Sequence, residues 1–175
     1  MDGRSGEKKQ NRIFARTLVL FIAAWACTLA GDYFLSITQT HLTMGIALFC
    51  IVQTMYMLHL NPTRTGLILR AAIFGILCGI LLLIRMFSLQ NVLAVLDITM
   101  LGMNAFCAWK QRKNGKLLFA IGLTLFFCCD VCVGLRSVLP ADMSTLMLVL
   151  IWTFYLPSQI LIVIYGIKTL RIEHG

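Results

Sequence analysis

Six apolar stretches, each close to the roughly 20 residues that a helix needs to cross a bilayer, follow one another along this chain. They run at about Ile13 to Leu35, Thr43 to Leu60, Gly66 to Ile84, Asn91 to Trp109, Lys116 to Val138 and Ser144 to Leu170. The connections between them are five to seven residues long, too short for a soluble domain, and two carry a proline, Pro62 and Pro140. Hydrocarbon offers no water to backbone N–H and C=O groups, so a spanning segment must bond to itself as a helix or close into a barrel. The alternating apolar and polar residues of a membrane barrel strand are absent here. The expected fold is therefore all-α: a polytopic membrane helical bundle, one transmembrane domain over residues 1–175 with residues 1–12 as a basic tail. A composition of 59% hydrophobic and 13% charged residues excludes a soluble globule.

The 15 lysines and arginines orient this bundle. Arg4, Lys8, Lys9, Arg12 and Arg16 precede or open the first span, Arg64 and Arg70 flank the second connection, Lys110, Arg112, Lys113 and Lys116 surround the fourth, and Lys168 and Arg171 follow the last. All of these fall on one side; only Arg85 and Arg136 fall on the other. Positive charge accumulates on the cytoplasmic side, which places both termini there. The net charge of +8 is thereby accounted for by topology and anionic headgroups, and no nucleic-acid partner is implied. The basic start and the apolar run to Ala30 loosely resemble a secretory signal, but the run is long for one, and cleavage there would strand Asp32 at a new terminus.

Three acids interrupt the spans: Asp32 in TLAGDYFL, Asp97, and Asp130 in LFFCCDVCVGL. A charged side chain at the bilayer centre costs from about 2.5 to about 17 kcal/mol, so an intramembrane carboxyl marks a functional site by default. Given the topology, all three belong to the outer half. At a rise of about 1.5 Å per residue, Asp130 lies roughly 9 to 12 Å below the outer end of its span, Asp97 about 9 Å down and Asp32 shallower. A polar pocket opening to the outer leaflet is expected. Gln53, Tyr56, Asn104, Trp152, Tyr155 and Gln159 are available to line it, with Gln53 and Tyr56, and Trp152 and Tyr155, paired on one helix face by their spacing of three. Taken singly, such polar residues more often bond helix to helix. Arg85 and Arg136, at outer span ends, suit either snorkelling or holding a lipid phosphate.

Gly31-Asp32 closing one span, Gly45-x3-Phe49-x3-Gln53-x2-Tyr56 on the next, Gly122-x3-Phe126-x3-Asp130 on the fifth and Tyr155-x3-Gln159 on the sixth share an order and placement with a known family. Over roughly Thr28 to Gly166, the chain resembles the lysoplasmalogenases, membrane hydrolases of alkenyl-ether lipids. The resemblance implies cleavage of the vinyl-ether bond of a lysoplasmalogen to a fatty aldehyde and a glycerophospho-alcohol, with Asp32 and Asp130 as the catalytic carboxyls. Gln53, Tyr56, Asp97, Tyr155, Gln159 and Arg136 are the expected substrate-binding residues. Two features depart from the family pattern: Gln53 stands where the family carries His, and six spans stand where it has eight.

The chemistry gives two acids a purpose. A vinyl ether hydrolyses by protonation at carbon, and water captures the resulting oxocarbenium-like species. A protonated acid and an anion, which steadies positive charge or activates water, meet that need much as paired carboxyls do in glycosidases. Burial and mutual repulsion separate the titrations of two such groups. Asp130, the deeper, is the expected proton donor and Asp32 the anion. No metal and no cofactor are called for.

The seven cysteines all fall within spans and none in an outer connection, which argues against a disulfide framework. Cys129-x2-Cys132 is expected to pack as small apolar side chains, since Asp130 points about 100° away from Cys129 around the helix and no His lies nearby. Gly75-x3-Gly79 is a small-residue pattern that lets helices approach closely, and Pro157 should kink the last span near Phe154. Two rival functions stay open: a small transporter binding a cation or proton through the aspartates, and a non-catalytic lysolipid-binding descendant, for which Gln53 is the motive. The short connections and small size suit a bacterial inner membrane.

Overall fold

The structure, a computed structural model, describes residues 3–38, 41–136, 140 and 143–174, with the side chains of 3–13, 36–38 and 171–174 excepted. Among the described residues there are helices and no strand. Helix α1 covers Gly3–Asp32 and passes directly into a π segment, Tyr33–Thr38; α2 is Leu42–Leu60, α3 Arg64–Leu83, α4 Leu89–Lys110, α5 Leu117–Arg136 and α6 Ser144–His174. Each contains a stretch long and apolar enough to span a membrane. The expected spans agree with those apolar stretches to within about two residues, while α1 itself starts at Gly3 and so includes most of the basic tail, and α6 runs on to His174. The connections Ser36 to Leu42 and Leu139 to Met143 lie partly outside the described residues, as do the side chains of Arg4, Lys8, Lys9, Arg12 and Arg171.

Local chemistry explains the helix ends. Asn61 closes α2 in the left-handed region at φ 47°, its N–H donating to the Leu58 carbonyl. Pro62 cannot continue that helix, and Thr63 starts the next by accepting the Gly66 N–H on Oγ1 at 3.1 Å. Between α3 and α4, Arg85 adopts φ 57°, and Asn91 donates from its side chain to the Met86 carbonyl at 2.7 Å. A short 3-10 turn, Arg112–Asn114, joins α4 to α5 and ends at Gly115, whose φ of 79° suits a residue without Cβ.

The chain forms two compact units. The first holds α1 to α3, α4 as far as Met100, and α6 from Gly166 onward. Its best-formed contact joins α1 to α2. The buried positions Thr17, Phe21, Ala24, Thr28 and Gly31 recur at alternating steps of four and three and make one stripe along α1; Gly45, Phe49, Val52, Tyr56 and Leu60, at steps of four, three, four and four, make another along α2. Gly166 packs in the same unit against Trp25 and Phe21. By contrast, Arg70 is the only buried residue of α3. Gly75 and Gly79 on that helix meet nothing within 4 Å, so the small-residue pattern is not used for packing among the described residues.

The second unit, Leu101–Tyr165, holds the rest of α4, α5 and most of α6. Phe119, Leu123, Phe126, Cys129 and Cys132 form the buried stripe of α5. Phe119 stacks on Tyr165 with ring centres 4.8 Å apart, and Gly122 lets α5 approach Ser158 and Ile162 on α6. Helix α6 continues through Pro157. The proline has no N–H to offer the Thr153 carbonyl, while Ser158 Oγ donates to the Tyr155 carbonyl at 2.7 Å one turn on.

Candidate functional site

The first unit carries four of the expected site residues. Asp32 is the last residue of α1 and half-buried, at the point where the backbone changes from α to π geometry. Such π segments are well under 1% of residues and recur at functional sites. Nothing in the local sequence announces this one; the signal was confined to the acid itself. On α2, Gln53 and Tyr56 are fully buried and share one face, as their spacing required. Tyr56 sits against Phe21 with ring centres 6.3 Å apart, and His59, one turn on, meets the same Phe21 at 5.0 Å. Asp97 on α4 is buried, with Oδ1 sealed from solvent. It lies within charge range of Cys50 on α2, whose thiol donates to the Leu93 carbonyl at 3.5 Å. Helix α2 thus presents Cys50 on the side from which α4 approaches with Leu93 and Asp97.

Arg70, grouped with the cations of the cytoplasmic side just inside its span, has a buried side chain whose Nη1 folds back to within 3.9 Å of the position a Cβ would take on Gly66. A guanidinium six residues into a span can reach the interface only along its own helix, and that is the direction it takes.

The second unit carries the rest. Asp130 follows Phe126 by four residues and Gly122 by eight, on the half-buried face of α5, with Oδ2 sealed from solvent. Phe126 meets Tyr155 of α6 edge to face at 5.9 Å, which sets the Tyr155 ring, and Trp152 stands against the same ring at 6.0 Å. Trp152 itself is exposed and lines a shallow groove on the outer face of α6 with Leu148, Val149, Thr153 and Leu156. It therefore belongs to the lipid-facing side. Asn104 is completely buried. Gln159 is half-buried and its Nε2 is sealed from solvent, with no hydrogen-bond partner among the described residues. An enclosed amide donor left unsatisfied costs about 1–3 kcal/mol, so this position has room in its chemistry for an acceptor from elsewhere. Arg136 is exposed at the end of α5, where Nε donates to Ser144 Oγ at 3.1 Å and ties α5 to the start of α6.

None of the seven cysteines is in a disulfide, and among the described residues no group of three or more His, Cys, Asp and Glu stands together to hold a metal. At the turn between α4 and α5, Lys110 rests over the Phe106 ring at 4.6 Å and Arg112 over Trp109 at 5.9 Å. Lys116 donates to Gln111 Oε1 at 2.6 Å, and burial pushes its ammonium below the usual lysine value.

Comparisons with curated proteins and with solved structures found no match. A family model, that of the YhhN family, matches residues 9–165 and so takes in all eight expected site residues. The chain belongs to the YhhN family, the family that includes lysoplasmalogenase.

Proposed function

We propose that this protein is a membrane-embedded hydrolase that cleaves the vinyl-ether bond of lysoplasmalogens, releasing a fatty aldehyde and a glycerophospho-alcohol. Asp130 delivers a proton to the vinyl carbon, and the positive charge that develops on the ether carbon and oxygen is met by the carboxylate of Asp32. Water adds to that carbon and passes its proton to a carboxylate, and the hemiacetal collapses to the two products. The observation that carries this assignment is a carboxyl at Asp130, with one oxygen sealed from solvent on an apolar span, in a chain of the family that includes lysoplasmalogenase. Proton transfer from a positioned carboxyl to the vinyl carbon is the step this chemistry asks of it.

The remaining residues take binding roles in this scheme. Gln159 donates its enclosed Nε2 to a substrate oxygen; Gln53, Tyr56, Tyr155 and Asp97 supply further polar contacts; Arg136, at the exposed end of α5, takes the phosphate. Neither metal nor cofactor enters. The substrate is a lysophospholipid drawn from the bilayer, and the proposed location is a bacterial inner membrane.

Selectivity for the bond tests this assignment. Purified protein given matched lysolipids with alkenyl, alkyl and acyl chains should release aldehyde from the alkenyl lipid alone. Cleavage of the acyl lipid instead would sink the vinyl-ether mechanism. A second assignment, lysolipid binding without turnover, is favoured by Gln53 standing fully buried where the family has His. Saturable lysolipid binding together with no aldehyde from any substrate would select it.

A further inference from the structure

Near the outer end of α1 and the start of α2, each helix fills a hollow in the other. Gly31 and Leu35 are four residues apart on one side of this contact, along α1 and its π extension, and Gly45 and Phe49 four apart on the other, along α2. A Cβ at Gly31 would stand 2.9 Å from Phe49 Cε2. A Cβ at Gly45 would coincide with the Leu35 Cδ1 methyl, and the Gly31 carbonyl oxygen is 3.3 Å from the same point. Phe49 therefore occupies the space that Gly31 leaves, and Leu35 the space that Gly45 leaves. Asp32 lies between the two contacts in sequence. Leu35 reaches Gly45 from inside the π segment Tyr33–Thr38. Because π bonding runs from i to i+5, the positions after Asp32 are rotated from where an α-helix would put them, and it is in that geometry that Leu35 meets Gly45.

We propose that Leu35 and Gly45 are positioning residues whose fit holds the α-to-π junction and so fixes the direction of the Asp32 carboxyl. The inference rests on Asp32 being a reacting acid. It goes further in assigning a task to a leucine with no chemistry of its own and to a glycine on another helix, thirteen residues along the chain from the nearest acid. Overpacking at Gly45 and a void at Leu35 should both turn Asp32 away from its working direction, whereas shrinking the knob while filling the notch should restore it.

The test is a mutant cycle with two readouts. Gly45→Ala and Leu35→Ala should each lower kcat for aldehyde release at least tenfold with KM within threefold of the parent. Each should also change, at least threefold, the rate at which a hydrophobic carbodiimide modifies Asp32, followed by mass on the peptide that carries it. Leu35→Met, which keeps volume on a flexible chain, and the Gly45→Ala/Leu35→Ala double variant should return to within threefold of the parent in both. A double variant no better than its worse single overturns the proposal, as do single variants that lose thermal stability but keep the parent's kcat and labelling. Labelling needs no turnover. If the parent releases no aldehyde, or Asp32→Asn releases as much as the parent, the hydrolase assignment fails while the labelling cycle still decides the lock.

Discussion

Gly122→Ala is expected to destabilise the protein, because the added methyl has nowhere to go. Its Cβ would stand 2.9 Å from Ile162 Cγ1, 3.2 Å from the Ser158 carbonyl oxygen and 3.4 Å from the Ile162 backbone nitrogen. The first neighbour is a side chain that can turn; the other two are backbone in the helix that contains Pro157, and only a shift of α5 or α6 relieves them. Overpacking of this kind costs about 1–3 kcal/mol. The shift also carries the face that bears Phe126 and Asp130, so turnover should fall with stability. Unfolding of the purified protein in micelles, by heat or by denaturing detergent, measures the loss. Ile162→Ala removes the nearest carbon and, since Ile162 is completely buried, by itself costs about 2–5 kcal/mol. The double variant should therefore be more stable than the sum of the two losses, by about 0.5 kcal/mol or more. Parent-like stability in Gly122→Ala, or strict additivity in the double, would show that α5 and α6 do not meet at this glycine.

The opposite sign is expected on α3: Gly75→Ala and Gly79→Ala meet nothing within 4 Å and should leave stability unchanged or raise it by about 0.5–1 kcal/mol each through helix propensity, read in the same unfolding assay. Trp109→Phe removes the indole N–H that donates to Thr124 Oγ1 at 2.9 Å and should cost about 0.5–1.5 kcal/mol, and less than that on a Thr124→Val background, where the acceptor is already gone. Gln53→Ala, at a position with no solvent exposure, should cost about 1–3 kcal/mol from the vacated volume and the polar groups left behind. The lowered Lys116 value means that the unfolded chain holds this proton more tightly than the folded one. Stability should therefore rise as pH is raised through the folded value toward the unfolded one of about 10.4, and Lys116→Met should flatten that slope in an alkaline pH series.

The spans were legible because their signal is additive: about 20 apolar residues in a row identify a membrane helix whatever it packs against. Turn chemistry fixed several ends equally well, as at Asn61-Pro62-Thr63, where a left-handed residue, a helix stop and a capping hydroxyl stand in succession. Packing was much less legible. Lipid-facing and buried positions are both apolar, so hydrophobic periodicity does not separate Phe21 from Val19, though one is buried and the other 64% exposed. For the same reason Gly75-x3-Gly79, which looks like a close-packing pattern, lies open, while Gly31, Gly45, Gly122 and Gly166 are each met closely by a neighbour. The acids were legible as exceptions in apolar surroundings, and so were Gln53 and Gln159. Trp152 was not, because an aromatic at helical spacing from Tyr155 serves a pocket and a lipid face equally well. The π turn after Asp32 and the buried course of Arg70 depend on tertiary context that no local pattern encodes.

The central claim, that Asp32 and Asp130 together hydrolyse a vinyl ether, is tested most directly by initial rates of fatty aldehyde release from a lysoplasmalogen by the parent, Asp32→Asn and Asp130→Asn, with folding of each verified by its unfolding midpoint. Loss of a proton-transfer group lowers turnover by about 10²–10⁴-fold, and each variant should fall by at least the lower figure while staying folded. Folded variants that both keep the parent's rate would contradict the assignment of these two carboxyls to the reaction.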